Sequence, residues 1–191
     1  MRMTIRTMLA ALFGVALAAC STLGRQALFG DSVAFTAPEL QRQLDRRFPR
    51  DYDELGGLLR LRVLNPRVSI PPGDDRLRLD FDIALALPGQ SDADQDGGRP
   101  AGHLAVSSGL RWNSETRGLH LDAPALESAD VPQLGGAVNA TGRELVDRWL
   151  QDYARREPVY QFDAGLLQRI ASRRIDATTI ANGQVVVHLG Q

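Results

Sequence analysis

Between Val131 and Arg156, apolar or near-apolar side chains recur at steps of three and four: Leu134, Val138, Thr141, Leu145, Trp149 and Tyr153. Ala137, Val146 and Leu150 widen the stripe, and the spacing places all of them on one face of an α-helix. Arg143, Glu144, Asp147, Arg148, Gln151, Asp152, Arg155 and Arg156 fill the opposite face. Asp130 and Pro132 suit a helix start, and Pro158 a stop. Gly135, Gly136 and Gly142 each cost roughly 1 kcal/mol of helix propensity against Ala, which close backbone packing would offset. Such a helix, roughly 36 Å long, needs an apolar cover of equal length, and that need constrains the rest of the fold.

The chain supplies a cover. From Arg76 to Leu87, Leu77, Leu79, Phe81, Ile83, Leu85 and Leu87 take every odd position, while the even positions read Arg, Arg, Asp, Asp, Ala, Ala. This is a strand with one face in a core and one in water. Leu58 to Ile70 alternates as well, but its apolar parity slips across Asn65-Pro66, as one bulge residue would make it. Leu104, Val106, Ser108, Leu110 and Trp112 mark another strand, and Gly118 to Val131 the next, with Pro124 placed to shift its register. Pro88 to Gly102, rich in Gly, Asp and Gln, reads as a hairpin loop.

Before this meander, Thr36 and Glu39 form a capping box and Phe35 can staple onto Leu40, which predicts a helix from Ala37 to Arg47. Asp51 to Gly57 reads as a polar loop. After the long helix come a short strand, Val159 to Phe162, and a helix, Ala164 to Ser172. Ile175 to Ile180 and Gln184 to Leu189 flank Asn182-Gly183, a pair suited to a type I′ hairpin. Together these elements predict an α+β domain. A curved antiparallel meander sheet, a half-barrel, would wrap around the long amphipathic helix, with a short N-terminal helix and a C-terminal hairpin.

The first residues have a separate purpose. Arg2 and Arg6 precede an apolar run, Met8 to Ala16, that is too short to span a bilayer and reads as a secretory signal. The tetrapeptide Leu17-Ala18-Ala19-Cys20 closely resembles the lipobox of bacterial lipoproteins. That resemblance implies cleavage before Cys20 and covalent N-acyl and S-diacylglycerol modification of it; no other cofactor is expected. Several acyl chains anchor stably where one binds marginally. Ser21, in place of an Asp, favours the outer membrane, with the body facing the periplasm. The chain thus divides into a signal peptide (1–19), a lipidated tether (20–34) and a single α+β domain (35–191).

Cleavage would leave 172 residues, enough for one core. They carry 20 basic and 23 acidic residues, a formal charge of −3, and no basic run interleaved with aromatics, so nothing points to nucleic acid. All the basic residues are Arg. Cys20 is the only cysteine, which excludes an intramolecular disulfide and a thiolate zinc site.

Over nearly its whole length the chain resembles the YceB-like family of small bacterial lipoproteins. The likeness rests on the lipobox, on Phe35-Thr36-Ala37-Pro38-Glu39-Leu40, on the long helix, on its exit Arg155-Arg156-Glu157-Pro158-Val159-Tyr160, and on the terminal Val185-Val186-Val187. It implies a half-barrel sheet around a long helix, related to the tubular lipid-binding (BPI-like) fold, and it brings no catalytic residues. The insert from Ser91 to Pro100 is peculiar to this chain.

His103, His120 and His188 are the candidate bases, but each falls in or beside a strand and none has an HxH or HxxxH partner, so no metal site is expected. Ser107-Ser108-Gly109 lacks the Gly-x-Ser-x-Gly elbow. Asp80 and Asp82 share a strand face with Arg76 and Arg78 and read as a solvated charge ladder, not an acid/base pair. No catalytic residue and no enzyme are expected. Because a half-barrel is hard to close at both ends, a lipid or acyl chain is expected between helix and sheet. Its groove would be lined by Phe81, Ile83, Leu85, Trp112, Leu145, Trp149 and Tyr153; the plainer reading is that these side chains fill a core. The functional expectation is an outer-membrane-tethered periplasmic lipoprotein that binds or senses a lipid or hydrophobic ligand. The alternative is a non-catalytic scaffold or assembly factor that binds an envelope protein.

Overall fold

Alternation of apolar and charged side chains makes most of the described chain strand. The computed structural model describes residues 28–54, 59–86, 102–131, 136–137 and 140–191. The signal peptide, Cys20 and most of the tether lie outside the described residues, as do the Ser91–Pro100 insert, Leu134 and Val138. Strands β3 (Arg50–Glu54), β4 (Leu59–Ser69), β5 (Leu77–Ala86), β6 (Gly102–Asn113) and β7 (Gly118–Val131) pair antiparallel in chain order, and β8 (Gly136–Ala137) follows β7. β9 (Tyr160–Gln161) also pairs with β7, at the far end from β8. A second sheet has the order β1 (Leu28–Phe29), β2 (Ser32–Thr36), β11 (Gln184–Gly190), β10 (Arg174–Ala181). It takes in residues read from sequence as tether. The helices are α1 (Ala37–Asp45), α2 (Ala140–Arg156) and α3 (Ala164–Arg169).

This architecture corrects the expected α+β half-barrel. The described residues are mostly sheet, there is no long amphipathic helix among them, and the meander is not curled into a half-barrel. The 26-residue stripe from Val131 divides: Val131 closes β7, Gly136 and Ala137 pair with Val131 and Asp130, and helix begins only at Ala140. The physical reason lies in residues the periodicity discounted. Gly135 and Gly136 in succession weaken a helix at that point, and the edge of β7 offered Gly136 and Ala137 backbone partners instead. What remains spans 17 residues, roughly 25 Å. The core is instead closed by the second sheet, whose Val33, Phe35, Val185 and Val187 join Leu79, Phe81, Leu104 and Leu119 in one buried cluster.

Because β6 holds one edge of β7, β8 and β9 must both lie along the other, and α2 bridges them there. Its side chains serve open carbonyls of that edge: Arg143 donates to Leu126 O (3.0 Å) and Gln151 to Pro124 O (3.4 Å). The helix is therefore edge protection as much as core.

Several local expectations hold. Glu39 accepts from the backbone N–H and hydroxyl of Thr36 at 2.8 and 2.9 Å. β4 gains its extra residue between Leu64 and Arg67, with Asn65 at φ +49°. The Gln41 carboxamide from α1 stands in for a neighbouring strand there, donating to Pro66 O (2.6 Å) and accepting from Val68 N (2.8 Å). β7 bulges around Ala123-Pro124, and the buried Ser108 hydroxyl accepts from Asp122 N across the gap at 3.1 Å. Asn182 and Gly183 both have positive φ in the β10–β11 turn.

Gly118 is where β7, the exit of α2 and β9 converge. A Cβ at that position would lie 2.6 Å from Pro158 Cβ and 2.8 Å from Tyr160 O. Neither a proline ring nor a paired carbonyl can step aside, so Gly118→Ala should destabilise by about 1–3 kcal/mol through overpacking. A urea midpoint equal to that of the wild type would show that β9 is not held this tightly.

Candidate functional site: an aromatic cleft at the end of α2

The bulky half of α2 carries Trp149 and Tyr153 toward β3, and their rings gather others. Tyr52 on β3 meets Trp149 edge-on with centroids 5.3 Å apart, and Trp149 meets Tyr153 at 5.8 Å. Phe48 links Tyr153 (6.5 Å) to Phe81 (5.6 Å). Above this floor opens a cleft of about 260 Å³, lined by Tyr52, Trp149 and Tyr153 and rimmed by Asp51, Asp152, Arg156 and Glu157. Clefts that bury drug-sized ligands run to roughly 300–1,000 Å³, so an occupant of this one is small.

Three buried polar atoms of the floor make no hydrogen bond: Tyr52 Oη, Tyr153 Oη and Trp149 Nε1. Each such group costs about 1–3 kcal/mol when left unmade, and three around one cleft is a concentration that packing alone does not require. Burial pushes the Tyr153 phenol up to about 12, with Arg47 and Arg50 pulling down and Glu157 pushing up. Tyr52 is raised further by burial, Tyr153 and Glu157, against Arg50 and Arg47. Both phenols therefore stay protonated at any physiological pH and present O–H donors.

The rim carboxylates are already engaged. Asp51 lies 3.7 Å from Arg62, Asp152 pairs with Arg155, and Glu157 pairs with Arg50. The Arg50 guanidinium also sits 5.7 Å from the centre of the Tyr52 ring. Arg156 makes no ion pair among the described residues.

The residues expected to line a groove are only partly brought together. Phe81, Trp149 and Tyr153 share this ring cluster, but Phe81 and Ile83 are each 2 % exposed and belong to a filled core. Trp112 lies half-buried in a second ring cluster, 4.6 Å from Phe162, which continues through Phe35 and Tyr160. Leu85 sits opposite Leu61 in the sheet and Leu145 within α2; the side chains of both fall outside the described residues. Sequence reading missed Tyr52, Phe48 and the rim. Arg50-Asp51-Tyr52-Asp53-Glu54 looks like a loop because a single apolar side chain in five residues gives no alternation, yet charges are what an edge strand carries.

The other candidates do structural work. His103 faces both Asp80 (3.2 Å) and Asp82 (3.5 Å) on the outer face of the sheet. Partial burial raises the Asp82 carboxyl, but hydrogen bonds from Asn65 and His103 and the Arg67 charge outweigh it, and the net shift is downward. His188 contacts the Thr179 hydroxyl, and the buried His120 ties β7 to α2. No group of three metal-ligating side chains occurs among the described residues. The chain matches no protein-family model and no curated protein.

Proposed function

We propose that this is a lipid-anchored envelope protein, held through Cys20 at the periplasmic face of the outer membrane, whose domain binds or senses a ligand with a hydrophobic part without catalysing a reaction. The observation that carries the binding half is the trio of unpartnered donors around a single aromatic cleft. The anchoring half rests on the lipobox-like Leu17-Ala18-Ala19-Cys20, and the resemblance to YceB-like lipoproteins supports the same placement. Phe81 and Ile83 are packed in the core, which favours the cleft as the place of the ligand, with any long chain outside it.

Two measurements test this. Cys20→Ala should abolish incorporation of labelled palmitate and release the protein from the membrane pellet; unchanged labelling would end the anchoring reading. Native mass spectrometry of the protein extracted from its own membrane should show a small non-covalent adduct that Trp149→Ala reduces. An adduct-free protein would turn attention to the scaffold reading. That reading draws on β10, the outermost strand of its sheet, where Arg174, Asp176, Ala177 and Thr179 are exposed.

A further inference from the structure

Three polar atoms of the cleft floor lack a partner, and each of them can donate. Two phenolic O–H groups and an indole N–H are donors without an acceptor, and the exposed Arg156 adds five N–H donors and makes no ion pair among the described residues. An apolar chain would leave all of them unsatisfied. A quaternary ammonium needs aromatic faces spread around it, but here the rings already touch one another at 5.3 and 5.8 Å, and Arg50 occupies the cation position at Tyr52. Rim carboxylates that could attract a cation are each paired with an arginine.

We infer that the cleft recognises a small organic carboxylate: the anionic head accepts from the guanidinium of Arg156 and the buried donors of the floor, and its apolar body lies on the rings. This rests on the binding reading above and names the chemistry it selects. Guanidinium and carboxylate match as a bidentate pair, and the paired rim acids keep the cleft from repelling an anion. The buried donors come within reach when the Tyr52 ring turns outward. That ring is half-buried and stands on β3, a strand paired on one side only. A free fatty acid with its head in the cleft and its tail outside belongs to the same class as a short aromatic acid.

The test uses the Trp112→Phe protein, in which Trp149 is the only tryptophan, since the chain has two. It is titrated with 4-phenylbutyrate, with its neutral amide, and with phenyltrimethylammonium. The acid should change Trp149 emission saturably, and the amide should bind about tenfold more weakly or worse, the loss expected of a charged hydrogen-bonded pair. Arg156→Gln, at an exposed position that leaves the fold intact, should weaken the acid by a similar factor and leave the amide unchanged. Equal binding of acid and amide, or no effect of Arg156→Gln, overturns carboxylate selectivity while leaving a binding cleft. A response to the ammonium alone overturns it in favour of a cation site. Silence to all three probes overturns the inference, and the native adduct measurement then judges the binding reading by itself.

Discussion

Trp149→Ala should destabilise the protein by about 3–5 kcal/mol, the range for removing a large aromatic side chain from a core. Trp149 is 4 % exposed and in ring contact with both Tyr52 and Tyr153, so neighbours on two sides lose dispersion partners at once. Its indole N–H has no acceptor, which separates this residue from an ordinary buried Trp. Truncation therefore forfeits packing and no hydrogen bond. Tyr153→Phe isolates the polar part: it keeps the ring and deletes an unpartnered hydroxyl. That variant should be neutral or more stable by up to about 1 kcal/mol. Chemical denaturation of the three proteins decides the matter. A loss below about 1 kcal/mol for Trp149→Ala would mean that the ring is not packed, and a comparable cost for Tyr153→Phe would mean that its hydroxyl is satisfied.

How much of this was legible depends on whether the deciding interaction was local. The β5 strand, the capping box at Thr36 and Glu39 and the Asn182-Gly183 turn are each set by residues within a few positions, and sequence reading located them. The slip at Asn65-Pro66 was legible as parity, but the Gln41 carboxamide that completes it comes from 25 residues away. The length of α2 was misjudged because a period of three and four was extended through Gly136, although the end of β7 at Val131, only five residues back, supplied a better partner. That one error propagated: a helix of 26 residues demanded a wrapped sheet, whereas one of 17 leaves a second sheet to close the core.

The facing wall of the cleft was hidden from the sequence for a related reason. Trp149 and Tyr153 were conspicuous on their stripe, but a cleft needs a facing wall, and that wall is the charged edge strand β3. Burial of Tyr52 depends on where Leu61 of β4 lies, because the two are register partners. Nothing within five residues of Tyr52 announces this. Of the residues expected to form one groove, Phe81, Trp149 and Tyr153 join the ring cluster around Trp149, whereas Trp112 joins the one around Phe162.

Acid should weaken the fold through His120. The imidazole is 0 % exposed, its Nδ1 lies 3.0 Å from Ala154 O, and its Nε2 lies 2.7 Å from the Thr116 hydroxyl. A carbonyl only accepts, so Nδ1 carries the proton and Nε2 accepts from Thr116. Burial holds the His120 pKa below its ordinary value; the Ala154 carbonyl works against that shift, and the charges of Arg111 and Arg47 add to it. Above about pH 6.5 folded and unfolded chains bind the same number of protons at this site. Below it the unfolded chain takes up a proton that the folded one refuses, so stability falls as pH drops toward the folded pKa, by at most about 1.4 kcal/mol per pH unit. His120→Ala should cost about 2–4 kcal/mol at pH 7.5, since it leaves a cavity and removes two hydrogen bonds between β7, its turn and the last turns of α2. The same variant should lose most of the wild type's decline between pH 6.5 and 5.5, because it removes the buried imidazole that resists protonation in the folded chain. Urea midpoints at pH 7.5, 6.5 and 5.5 for both proteins test this. An equal decline in His120→Ala would assign the acid sensitivity elsewhere and leave His120 as a packing residue alone.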